Sequence, residues 1–355
     1  MIWLTWRQFR IPAVVAAGAL AVVAVVLGVT GPHLFHLYDT SGIATCHGLA
    51  KCQQLINAFQ SHYQQLRLIG TVLVVVPGII GMFWGAPLIA RELETGMHRL
   101  VWTQSVTRTR WLLVKLAVVG LASMAAAGLF SLMVTWWSDP FDRVAMDRFG
   151  IGMFGERGIV PVGYAAFAFA LGVTAGLLIR RTLPAMATTL FGFLVVRMAV
   201  SFWVRPYLIP PVVKNYALNL TTVGFGSTGP GPATLLANVP PLPNAWIYSS
   251  RIVDAGGHPL AAQLVAKTCP TVGQSTGGQG GPPPGSNVVS KAVPAHAQHV
   301  LSDCIAKIGL TYHEVVTYQP ASRYWPMQWS ELAMFLGLAL ALAGFCFWWV
   351  RRGLS

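Results

Sequence analysis

Charge is what this chain has least of. Asp, Glu, Lys and Arg make up only 10% of its 355 residues, where an ordinary soluble domain has about 25%. So few charges cannot cover soluble surfaces, and much of the chain must face lipid. A hydrophobic fraction of 54% excludes general disorder by the same arithmetic. Also missing is any Gly-x-x-x-x-Gly-Lys-Ser/Thr, so the chain has no P-loop to cradle ATP phosphates. The apolar runs contain no Asp or His, and Glu331 is their one acid. Paired carboxylates or a nucleophile with its base are therefore not to hand in the membrane, and no catalytic residue is assigned. Gly224–Gly229 has a serine-elbow look around Ser227, but it reads as a Gly/Pro-rich loop without strand–helix context.

What is present is six apolar runs, each long enough to cross about 30 Å of hydrocarbon. They are Pro12–Thr30, Leu68–Ala90, Trp111–Trp137, Val160–Ile179, Leu183–Val204 and Met327–Val350. The first is too long for a signal peptide and lacks a cleavage site, so it reads as a retained anchor. Lys and Arg set the orientation. With the N-terminus inside, the inner segments carry Arg7, Arg10, Arg91, Arg99, Arg108, Arg110, Lys115, Arg180, Arg181, Arg351 and Arg352. Only Glu92 and Glu94 oppose them. The formal charge of +13 is thus a positive-inside signature, and nucleic acid is not needed to explain it. Tryptophans agree: Trp136, Trp203 and Trp325 fall at outer span ends, Trp6, Trp102 and Trp111 at the inner boundary.

The spacing predicts an all-α membrane protein with six transmembrane helices and a disulfide-bearing extracytoplasmic domain between helices five and six. Residues 1–204 hold the first five helices, 205–326 the outer domain, and 327–355 the sixth helix with an inner tail. Within the outer domain, Gly273–Ser286 reads as a flexible linker, Pro294–Leu310 as a helix and Thr311–Tyr318 as a strand. A helix is also expected over Leu49–Gln65. Cys46 with Cys52 and Cys269 with Cys304 form two pairs on the oxidising side, leaving Cys346 as a buried thiol. Oxidised pairs leave no soft ligands, so no metal site is assigned.

The inner segment 91–110 has the clearest functional flavour. A charged helical end, Arg91–Glu94, stops at Thr95-Gly96, a short amphipathic piece with Arg99 follows, and a Ser/Thr/Arg turn with Arg108 and Arg110 leads into the third span. Here the chain resembles the type-2 permease subunits of bacterial ATP-binding-cassette exporters. That family shows a glutamate, a Gly-Thr or Thr-Gly pair, hydrophobic residues, and a Ser/Thr-x-Arg near span three. Glu92, Glu94, Thr95, Gly96, Arg108 and Lys115 match. The last outer loop departs from the compact members by its length.

The resemblance implies a homodimer working with a separate ATPase that binds ATP and Mg, in the bacterial cytoplasmic membrane with both termini inside. It implies coupling through Glu92, Glu94, Thr95, Gly96, Arg99, Arg108 and Arg110, and no cofactor in this chain. An amphipathic drug, peptide or lipid is the expected cargo. The rival reading is a non-transporting membrane sensor or structural protein built around the outer domain. Arg197 lies inside span five, where an arginine costs about 2.5–3.5 kcal/mol at a helix centre. An internal pair or snorkelling is the favoured reading, and a contact in the translocation pathway is the sharper alternative. Gly81-x-x-x-Gly85 and Gly172-x-x-x-Gly176 are expected to serve packing within the chain rather than a dimer seam, and Pro77 and Pro87 to bend the second span.

Overall fold

The computed structural model describes residues 2–43, 46, 49–62, 74–96, 107–145, 148–219, 222–226, 234–237, 242–269 and 295–352. They fall into two compact units. One comprises Met1–Cys46, Leu55–Pro210 and Arg323–Ser355, the other His47–Gln54 and Pro211–Ser322.

The first unit is helical. Helix α1 (Ile2–Thr40) runs past the expected end at Thr30 and through Pro32. Leu34 and Leu37 prolong its apolar stripe onto Trp137 and Phe141, which outweighs the one hydrogen bond a proline removes. Next come α2 (Leu49–His62), α3 (Val76–Ile80), a π turn (Gly81–Gly85) and α4 (Ala86–Glu94). Helix α5 (Arg108–Ala145) also outruns its expected end, Trp137, because Phe141 and Val144 continue the buried stripe. The connection expected to start at Ser138 is therefore shorter. After it come α6 (Ile151–Phe154), α7 (Val160–Ile179), α8 (Thr182–Ala199), a second π turn (Val200–Val204) and α9 (Arg205–Leu208).

The second unit holds strands, so an all-α description does not extend to it. They are β1 (Val212–Tyr216), β2 (Val223–Gly226), β3 (Thr234–Ala237) and β4 (Trp246–Asp254), then α10 (Ala262–Thr268), α11 (Ala295–Gly309) and β5 (Tyr312–Gln319). Strand β5 is central in an antiparallel sheet of order β1-β5-β4, and β2 pairs with β3. Its alternation buries Glu314, Val316 and Tyr318 on one face, the period-2 signal readable in the sequence. Gly224 and Gly226 lie in β2 rather than in a loop, while 227–229 are outside the described residues. Val265, Cys269, Cys304, Ile305 and Ile308 form a core with Leu218 and Ile252. A Cys269–Cys304 disulfide joins the end of α10 to α11. The linker 273–286 lies outside the described residues. The chain then returns to the helical unit as α12 (Tyr324–Arg352).

Among the described residues, five helices are long and apolar enough to cross a membrane: Arg10–Thr40, Arg108–Val144, Val160–Ile179, Thr182–Leu208 and Ala321–Arg352. The sixth expected span, Leu68–Ala90, is helical from Val76 onward, and 68–73 are outside the described residues. Helix α7 is the hub, packed against α4, α5, α8 and α12. It is apolar all round and buried on nearly every face, as a helix surrounded by others must be. Glycines set how close its neighbours come. A Cβ on Gly172 would lie 2.6 Å from the Gly81 carbonyl oxygen, and one on Gly176 2.6 Å from that of Ala86. The two Gly-x-x-x-Gly motifs thus face each other within one chain.

Each π turn ends two residues before a proline and contains Phe-Trp: Phe83-Trp84 ahead of Pro87, Phe202-Trp203 ahead of Pro206. In a regular α-helix each proline ring would strike the carbonyl four residues back. Ala86 N–H instead reaches Gly81 O, and Arg205 N–H reaches Val200 O, one residue further back than usual. The second turn keeps Arg197, Ser201 and Arg205, spaced by four, buried on one inward face.

Candidate functional site

Polar chemistry in the helical unit gathers at the two ends of α7. At its C-terminal end, α4 finishes in Arg91-Glu92-Leu93-Glu94. Glu92 turns inward and forms a buried ion pair with Lys115 of α5, whose ammonium also lies 4.9 Å from the Trp111 ring centroid. Glu94 turns the other way. Its Oε2 accepts from Thr182 N–H at 3.1 Å and from the Thr182 hydroxyl at 2.7 Å, so it caps the start of α8. These two hydrogen bonds hold its carboxyl below the usual carboxylate range, with a smaller contribution from Arg181. The end of α4 is thereby tied to α5 on one side and α8 on the other.

Thr95 caps that end by donating its hydroxyl to Arg91 O at 2.8 Å, and Gly96 adopts φ 71°, the left-handed stop glycine favours. Arg99 and the rest of 97–106 lie outside the described residues. At Thr107 the chain resumes, its hydroxyl accepting from Arg110 N–H at 3.4 Å as α5 begins. Arg108 is half-buried there and Arg110 exposed. Of the motif residues, Glu92 of α4 meets Lys115 of α5, and Glu92 thereby faces the interior of its own chain.

The N-terminal end of α7 holds a larger buried network, most of which the sequence did not announce. Arg197 is internally paired: Nη2 donates to Glu156 Oε1 and Nη1 to Val74 O, each at 2.6 Å. Its guanidinium lies 4.5 Å from the Tyr164 ring centroid. The Tyr164 hydroxyl donates to Glu331 of α12. Glu331 also accepts Arg205 Nε at 2.8 Å and Nη2 at 3.0 Å, a bidentate pair. Gln328 Oε1 accepts from the Ile159 and Val160 N–H groups, both at 3.1 Å, and so supplies the cap that α7 lacks locally. Arg157 pairs with Asp142 of α5.

Glu156 sits on the connection between α6 and α7, outside the spans. Burial pushes its carboxyl up to about 7, against the pull of Arg197. Glu156, Tyr164, Arg205 and Gln328 are the residues that sequence reasoning passed over. The available signals were two charges within spans, Arg197 and the lone acid Glu331, each of which demanded a partner of opposite sign.

Cys46 and Cys52 are both disulfide-bonded, as are Cys269 and Cys304, and Cys346 is a free buried thiol 3.3 Å from the Thr174 hydroxyl. Among the described residues no group of three His, Cys, Asp or Glu could hold a metal ion.

A family model described as ABC-2 membrane transporter related matches residues 17–205. No curated protein and no solved structure matches the chain.

Proposed function

Since the chain belongs to the ABC-2 membrane transporter related family, which makes it a membrane permease component, we propose that it is the permease subunit of an ATP-binding-cassette exporter. In this reading two copies line the pathway, and a separate ATPase, holding ATP and Mg, docks on the 91–110 segment. The reading puts the termini and that segment on the cytoplasmic side of the bacterial inner membrane, which the excess of Lys and Arg on them supports. Scarce charge within the spans favours an amphipathic drug, peptide or lipid over a small ion as cargo.

One observation carries the proposal. The helical end that opens the docking segment is fastened to α5 through Glu92–Lys115 and to α8 through Glu94–Thr182. A push on the segment is therefore delivered to two other helices rather than absorbed by a free loop. The Arg180-Arg181 turn between α7 and α8 lies beside the same tie, with Arg180 in the left-handed conformation at φ 58°.

Reconstitution tests it. The chain alone should hydrolyse no ATP, and it should copurify in equal numbers with the ATPase encoded beside it. In the reconstituted complex, Glu94→Ala should leave insertion and dimerisation intact while cargo moved per ATP falls. Glu92→Ala is the poorer probe, because it strands Lys115 in the interior. Unchanged coupling in Glu94→Ala removes this tie from the mechanism. Hydrolysis by the isolated chain would sink the whole account.

A further inference from the structure

Two buried carboxylates share the N-terminal end of α7, and they are served unequally. Glu331 is fully engaged: both oxygens accept from Arg205, and the Tyr164 hydroxyl adds a third hydrogen bond. Glu156 is as deeply buried, its residue only 1% exposed. Its Oε1 accepts from Arg197, but Oε2 has no partner among the described residues. A buried carboxylate with one oxygen unserved is costly to keep charged, and taking up a proton removes that charge.

We propose that Glu156 is a proton-binding site, and that its occupancy decides whether Arg197 stays tied to the connection between α6 and α7. One proton from solvent adds to a lone pair of Oε2, and no other bond changes.

The surroundings set the consequence. Arg197 from α8 faces Glu156, Tyr164 from α7 lies under that guanidinium, and Arg205 beyond the second π turn and Glu331 from α12 carry the next charges. The neighbouring Arg157 is turned to Asp142 of α5, while Arg148 shares that acid and Tyr324 of α12 lies under the Arg157 guanidinium. The two arginines and two glutamates of the inner cluster balance when both acids are ionised. Adding the proton leaves an uncompensated Arg197, only 2% exposed. Because that guanidinium also binds Val74 O and lies over Tyr164, it staples four segments: the approach to α3, the α6–α7 connection, α7 and α8. Losing the counter-charge loosens the staple at this end. Burial lifting the carboxyl to about 7 places the event near neutral pH. None of this depends on what the protein transports.

The test is infrared difference spectroscopy on the full chain in lipid vesicles, titrated between about pH 5 and 8. A protonated-carboxyl band should be present on the acid side and vanish as pH rises, with its midpoint shifted upward in Arg197→Met, where the attraction favouring the charged form is gone. Glu156→Gln should abolish the band. Should that variant fail to insert, Glu156→Asp should move the band's frequency and so identify the group. A wild-type chain with no titrating carboxyl band in this range overturns the proposal, as does a band that survives Glu156→Gln.

Discussion

Glu94 Oε2 lies 2.7 Å from the Thr182 hydroxyl and 3.1 Å from its amide nitrogen, so a carboxylate from the end of α4 caps the start of α8 across 88 residues of sequence. The lowered carboxyl pKa means that the tie is present above the usual glutamate range and is lost as pH falls through the lowered value. Hydrogen exchange should show the Thr182 amide protected at neutral pH. Glu94→Ala should speed its exchange while leaving mid-helix amides of α8 unchanged. Equal rates in the two proteins would show that the cap is not held in solution.

The neighbouring Glu92–Lys115 pair is buried at both ends. Removing one partner leaves a charge alone in the interior, so Lys115→Met should destabilise the detergent-solubilised chain by about 3–5 kcal/mol. Lys115→Met combined with Glu92→Leu should recover most of that loss. Thermal unfolding of both variants checks the difference, and a double mutant as unstable as the single one would contradict the pairing.

At the seam between α7 and the first π turn there is no room for a methyl group. Gly172→Ala should cost about 1–3 kcal/mol, since the obstacle is the Gly81 backbone rather than a movable side chain. Gly344→Ala on α12, where a Cβ meets nothing within 4 Å, should instead be neutral or stabilise by about 0.5–1 kcal/mol. Comparing melting temperatures in one detergent distinguishes the two sites.

Cys269 and Cys304 are 35 residues apart in sequence. Closing a loop of that length contributes about 3–4 kcal/mol by chain entropy. Replacing both with Ser should therefore lower the stability of the second unit and make its β5 amides exchange faster, with the helical unit unaffected. Mass analysis after alkylation without reductant should find Cys346 as the one thiol, modified only once the chain is unfolded.

Orientation is checked separately. Cysteines introduced near Gly280 should react with an impermeant reagent added outside intact cells, and those near Thr103 should not. The reverse pattern would put the docking segment on the wrong side.

Several features were legible in the sequence because they depend on neighbours along the chain. Span length follows from runs such as Val160–Ile179, since lipid demands about 20 apolar residues and a self-satisfied backbone. The helix over Ala295–Gly309 and the strand over Tyr312–Gln319 showed in their periods. Gly96 as a stop and the acids of 92–94 as a distinctive end were likewise local signals. Tertiary structure alone decided the rest. Whether α1 and α5 stop at Thr30 and Trp137 or continue depended on each finding the other's stripe, Leu34 against Trp137. The choice of Lys115 for Glu92, Thr182 for Glu94, Glu156 for Arg197 and Arg205 for Glu331 was made by packing across 23 to 126 residues. A buried charge announces that it needs a partner, because leaving it alone in low dielectric is too costly. Which partner it takes is settled by which helix faces bring it within hydrogen-bond reach. Here that is governed by the glycines along α7 and by the π turn that keeps Arg205 facing inward.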